Sequence, residues 1–77
     1  MEVEWEATEY VAGRRIVHGL FPNREGAMDA LSRVASARRE AGFDVVRHPG
    51  GMMEVRRHGL PVIESQLYPS PVEVSLS

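Results

Sequence analysis

One stretch of this chain, from about Arg24 to Ala41, repeats its apolar residues at the 3.6-residue period of a helix, and on both sides of it the repeat falls to two. A period of two is that of a half-buried strand, whose side chains alternate between faces. The chain is therefore constrained to one helix among strands. Asn23 is placed to cap the helix with its side-chain oxygen, and Pro22 ends whatever precedes it. Wound at 100° per residue, Ala27, Ala30, Leu31, Val34, Ala37 and Ala41 share a stripe rich in alanine, which lets a helix lie close on a sheet. Gly42 reads as the stop, with Phe43 as its hydrophobic partner.

Before the helix, Val3, Trp5, Ala7 and Val11 alternate with Glu2, Glu4, Glu6 and Thr8. Ala12-Gly13 supplies a tight turn, and Arg14 to Phe21 reads as the returning strand of a hairpin. After the helix, Phe43 to His48 alternates again, and Pro49-Gly50-Gly51 is a turn signal. Pairing back across that turn sets Val45 opposite Val55, Arg47 opposite Met53 and Asp44 beside Arg56. His58-Gly59 marks another turn, and Leu60 to Tyr68 reads as a fifth strand. Pro61 cannot donate to a ladder, which points to an edge or a bulge there. Pro69-Ser70-Pro71 is a stiff break, after which Val72 to Leu76 alternates once more.

These elements predict an α+β domain in the order ββαβββ, a mainly antiparallel sheet of four to six strands with one helix on one face. The β-grasp arrangement is one candidate among several. Residues 1–68 are expected to form the domain, and residues 69–77 a Pro-bounded C-terminal tail or extra edge strand. A chain of 77 residues buries only roughly 60% of the surface its unfolded form exposes. Without cysteine it has neither disulfides nor thiolate zinc sites, so packing or self-association must supply the rest. No apolar run approaches the roughly 20 residues of a membrane span, and the first residues are acidic where a secretory leader is basic. The expected location is cytoplasmic.

One helix covers only one face of such a sheet, so the other must meet something else. The reading places Tyr10, Val17, Phe21, Val46, Met52 and Ile63 there, interleaved with Glu4, Glu6, Thr8, Arg15, Glu54 and Arg56. Aromatic, methionine and arginine side chains are enriched at protein interfaces. The expected function is accordingly non-enzymatic: a protein-interaction module, either a homodimer or a small regulator or inhibitor of a larger protein. Its expected partner-binding residues are Tyr10, Arg15, Val17, Phe21, Val46, Met52 and Arg56.

The alternative is a single-stranded RNA or DNA binder using Arg14, Arg15, Arg47, Arg56 and Arg57 with the strand aromatics. Against it stand a net charge of −2 and the glutamates of the first strand, since phosphate binding draws on charge neutralisation. All nine basic residues apart from histidine are arginine, and they are dispersed rather than gathered in a basic arm.

Chemistry-bearing motifs are sparse. His18, His48 and His58 lack the spacing of a metal site, so no metal or other cofactor is expected. A ribonuclease built on His48 and His58 is the third and weakest reading. His18 is expected to point with Ile16 and Leu20 towards the helix, opposite Ala7, as a hydrogen-bonded core histidine. There is no nucleophile elbow and no phosphate loop, because Gly50-Gly51 has neither a following lysine nor a following helix.

Overall fold

In the computed structural model, which describes residues 2–74, the change of period falls where the pattern predicts. The strands are β1 (Glu2–Val11), β2 (Arg14–Phe21), β3 (Phe43–Arg47), β4 (Met53–Arg57) and β5 (Ile63–Val74), with helix α1 (Arg24–Glu40) between β2 and β3. They form one antiparallel sheet in the order β2-β1-β5-β4-β3. The two hairpins do not pair with each other, because β5 lies between them.

Asn23 caps α1 by accepting a 2.8 Å hydrogen bond from the Gly26 amide, and Gly42 ends it at φ 97°. The helix buries Ala27, Leu31 and Ala35 against Ala7, Met53, Val55 and Leu67, with Trp5, Phe21, Phe43 and Val45 packed around them. This seam runs through Ala35 rather than the expected Ala37, which is exposed. The covered face of the sheet is thus Trp5, Ala7, Glu9 and Val11 on β1, Leu67 and Ser65 on β5, Met53 and Val55 on β4, and Phe43 and Val45 on β3.

The β3–β4 register agrees with the expected one: Val45 faces Val55, Arg47 faces Met53 and Asp44 faces Arg56. In β1–β2 it does not. A bulge between Ala7 and Thr8 leaves Ala7 opposite Gly19 and Thr8 opposite Val17, so His18 is the extra residue. An extra residue inverts the alternation beyond it. Phe21 therefore falls on the covered face and Leu20 on the open one, the reverse of the expected assignment.

The fifth strand also differs. Pro61 lies before β5 begins, so it does not force β5 to an edge; β5 is the central strand. It bulges where Val55 pairs with Ser65 and Arg56 with Ile63. The prolines at 69 and 71 do not end it. Residues 69–74 continue β5 along β1, from Ala7↔Pro69 to Glu2↔Val74, rather than forming a separate tail. Pro69 and Pro71 have the same parity, so both missing donors fall on one side of the strand. The β1 ladder survives when that is the side away from β1, which β4 does not reach. The rest of the expected final alternation, Ser75 and Leu76, lies outside the described residues.

At the β1–β2 turn Ala12 stands at φ 51° beside Gly13 at φ 77°. Positive φ at both central residues is the geometry that favours Asn-Gly, and a β-carbon is costly there. Ala12→Asn is expected to stabilise the domain by about 0.5–1 kcal/mol, read as a higher urea midpoint with an unchanged slope.

Candidate functional site

The open face can be read row by row from the register. One row crosses all five strands: Arg15, Tyr10, Gln66, Glu54 and Val46. Beside it run Val17, Thr8 and Tyr68, then Leu20, Glu6 and Ser70. The Tyr10 and Tyr68 rings stack with centroids 6.1 Å apart at 15°. Burial, and then the neighbouring Tyr10, raise the Tyr68 hydroxyl above its ordinary pKa. Val17, Leu20, Tyr10 and Ile63 are 40–56% exposed on this face, which no element among the described residues covers.

The charges at its centre are matched within the chain, while Glu2 and Glu4 at the far end of β1 have no ion-pair partner among the described residues. Arg15 donates to the Glu6 carboxylate, and Arg56 Nη2 donates to Glu54 at 2.9 Å, with His48 on the same oxygen. Glu6 and Glu54 are themselves buried. Hydrogen bonds from Arg56 and then His48 hold the Glu54 carboxyl below the usual carboxylate range. The face therefore presents apolar and aromatic groups between neutralised ion pairs.

Of the expected partner-binding residues, Tyr10, Arg15, Val17, Val46 and Arg56 share the open face, and half-buried Met52 lies just before β4 at its β3–β4 end. Phe21 does not belong with them. A methyl built on Gly19 would stand 3.0 Å from the Phe21 ring, and one on Gly26 3.1 Å from its Cβ, so Phe21 is wedged between β2 and the first turn of α1. Leu20, missed in the sequence, replaces it.

The five arginines of the nucleic-acid alternative are divided between faces. Arg15 and Arg56 lie on the open face, while Arg14, Arg47 and Arg57 fall opposite Val11, Met53 and Phe43 on the covered side. Arg15, Arg56 and Arg57 are engaged with Glu6, Glu54 and Glu64. His48 and His58 hold separate carboxylates, Glu54 and Asp44. The His58 ring, and then the Gly59 amide, lower the Asp44 pKa. No group of three or more His, Asp or Glu able to hold a metal occurs among the described residues.

A second polar cluster lies on the covered face and centres on Glu9, which is fully buried. Its Oε1 meets His18 Nε2 and Arg38 Nη2, each at 2.8 Å, and its Oε2 accepts from Ser65 Oγ at 2.7 Å. Four elements, β1, β2, α1 and β5, are thereby pinned to one carboxylate. His18 reaches it from the bulge between Val17 and Gly19; the ring is hydrogen-bonded as expected, but the residue is exposed rather than part of the core and stands unpaired rather than opposite Ala7, because the bulge lifts it out of the ladder. Glu9 was legible in principle: it has the parity of Trp5 and Ala7, and a glutamate on a core parity demands a buried partner. A cleft of about 220 Å³ adjoins it, lined by Val11, Phe43 and Val55 with Arg38 and Glu64 at the rim. That is below the usual size of small-molecule sites, and all of Glu9's short bonds are spent within the chain. The cluster reads as a structural pin.

Comparison with family models, with curated proteins and with solved structures gives no match to this chain. Its candidate site rests on geometry.

Proposed function

We propose that this protein is an interaction module that binds another protein through the open face of its sheet. The observation that carries the reading is the uncovered face itself, with Tyr10, Val17, Leu20 and Ile63 exposed across it between pre-paired charges. An apolar centre with Arg and Tyr, and with its charges already neutralised, can be desolvated without stranding an ion. A phosphate-binding surface needs the opposite, an excess of free cations on one side.

The test is affinity capture with the purified chain, comparing wild type with Val17→Glu and Val46→Lys on the open face and Arg33→Glu on the exposed side of α1. The expected result is a partner held by wild type and Arg33→Glu, and lost by at least tenfold in affinity in either face variant. That factor corresponds to about 1.4 kcal/mol, which a single central contact commonly supplies. Circular dichroism must show all variants folded. Capture that is indifferent to both face substitutions, or no specific partner for the folded wild type, refutes the reading.

A further inference from the structure

We infer that the partner of the open face is basic: an amphipathic helix of another protein, whose apolar side rests on Tyr10, Val17, Leu20 and Tyr68 and whose lysines or arginines reach Glu2 and Glu4. This rests on the open face being a protein-binding surface, and names the chemistry of what binds there. The register sorts the charges of the sheet by face. Glu2, Glu4, Glu6, Glu54 and Asp44 all fall on the open side. The arginines that accompany them are Arg15 and Arg56, engaged with Glu6 and Glu54, and His58 holds Asp44. Glu2 and Glu4 have no ion-pair partner among the described residues. The remaining strand arginines, Arg14, Arg47 and Arg57, lie on the covered side. The open face is therefore neutral at its centre and acidic at one end.

That end is also where the sheet narrows. The last β2 pairing sets Phe21 opposite Trp5, and the outermost β4 pairing sets Met53 opposite Leu67. Beyond them β1 and β5 run on as a two-stranded ribbon, with Glu4 paired to Val72 and Glu2 to Val74. Two strands alone are marginal in water, so this ribbon gains from anything packed on it. Its open side sets two half-buried valines beside two carboxylates. A lysine or arginine answers both, because its aliphatic stem covers apolar surface while its head group reaches the anion. The face also keeps an unspent polar group: the Thr8 hydroxyl, shielded from water between Val17 and Tyr68, has no hydrogen-bond partner among the described residues.

Spacing favours a helix. Glu2 and Glu4 stand about 7 Å apart along one face of β1, and cations one turn apart on a helix stand about 6 Å apart. From Glu2 to Tyr10 the face runs about 27 Å, the length of about 18 helical residues. Such a helix lies on the open side as α1 lies on the covered one, its apolar stripe over the neutral centre and its cations at the acidic end. Other occupants fit the charge less well. A second copy set face to face presents the same surface, whose two arginines are already engaged, and so brings no free cation to Glu2 and Glu4. A nucleic acid brings phosphates, which these carboxylates repel.

The test is fluorescence anisotropy with two labelled synthetic helices of about 18 residues that share a leucine face, one carrying lysine and the other glutamate at the remaining positions. The lysine peptide is expected to bind the full chain at low salt and to weaken at least about fivefold as added salt screens the pairs; the glutamate peptide is expected not to bind. Combining Glu2→Gln with Glu4→Gln should weaken the lysine peptide about fivefold, the effect of losing two exposed ion pairs. Val17→Ser should weaken it at low and high salt alike. Glu40→Gln, on an exposed carboxylate of α1, removes the same kind of charge elsewhere and should leave binding unchanged. Should the double variant fail to fold by circular dichroism, the salt titration of the wild type carries the same test. If both peptides bind equally and both are weakened by Val17→Ser, the open face binds protein but does not select a basic one, which overturns this inference and leaves the open-face reading standing. A loss in Glu40→Gln as large as in the double variant makes the attraction diffuse and also overturns it. No binding of the lysine peptide by folded wild type overturns it as well, with the open-face reading left to its own capture test.

Discussion

Glu9→Ala is expected to cost about 3 kcal/mol, the low end for breaking a buried charge pair because Arg38 keeps access to water, and so to bring the domain close to the limit of its stability. The argument is one of stranded donors. Arg38, Ser65 and His18 converge on this carboxylate from α1, β5 and β2. Alanine leaves the buried Ser65 hydroxyl without its acceptor and the partly exposed Arg38 and His18 without the anchor that draws them to the sheet. Net stability in a chain this short is of the same order as the loss, since folded proteins retain only about 0.05–0.15 kcal/mol per residue. The paired replacement Glu9→Leu with Arg38→Met is expected to recover most of it, because it removes both charges while keeping volume. Urea denaturation of the three proteins decides the matter. A loss below about 1 kcal/mol in Glu9→Ala would place the cluster among exposed ion pairs, which are worth no more than that.

The same carboxylate sets the weak side of the pH profile. Burial pushes the Glu9 carboxyl upward, but hydrogen bonds from Arg38, Ser65 and His18 outweigh it and hold the folded pKa below the ordinary value. Between the two values the unfolded chain binds more protons, so stability rises with pH. The contribution is full above the unfolded glutamate pKa of about 4.3 and is lost as pH falls through the folded one. Glu54 and Asp44 shift in the same direction. Stability should therefore fall below about pH 4, and less steeply in the Glu9→Leu, Arg38→Met protein. Equal slopes in the two would remove Glu9 from the account.

Local chemistry explains which parts of the fold were legible in the sequence. The helix could be placed because Asn23 and Gly42 bracket a single period, and the β3–β4 register because a short Pro-Gly-Gly turn leaves little freedom in how its arms meet. The path of β5 could not be read from its prolines alone. A proline ends a strand only if its missing donor faces a neighbour, and that depends on a strand order carried by contacts distant in sequence. Glu9 was obscured by its company: among Glu2, Glu4 and Glu6 it reads as one more solvent charge, although its parity sets it apart. Most of the open-face set was legible because it needed only alternation and one turn. Phe21 and Leu20 exchanged places because a bulge leaves no mark in composition.

That exchange makes the second large expectation. Phe21→Ala should cost about 3 kcal/mol, the lower end for a packed phenylalanine because its residue is only half-buried, whereas Leu20→Ala should stay within about 0.5 kcal/mol as surface changes do. The difference follows from one inserted residue. With His18 bulged out of register, Phe21 pairs with Trp5 under the helix and Leu20 pairs with Glu6 in the open. A regular ladder through Ala7 and His18 would reverse both. The protein has one tryptophan, and it is Phe21's cross-strand neighbour, so the two alternatives have separate optical signatures as well as separate energies. Phe21→Ala should open the site to water and shift Trp5 emission to longer wavelength; Leu20→Ala, on the opposite face, should leave it unmoved. If the shift and the loss both follow Leu20, the bulge is misplaced. The open face would then contain a phenylalanine in place of Leu20.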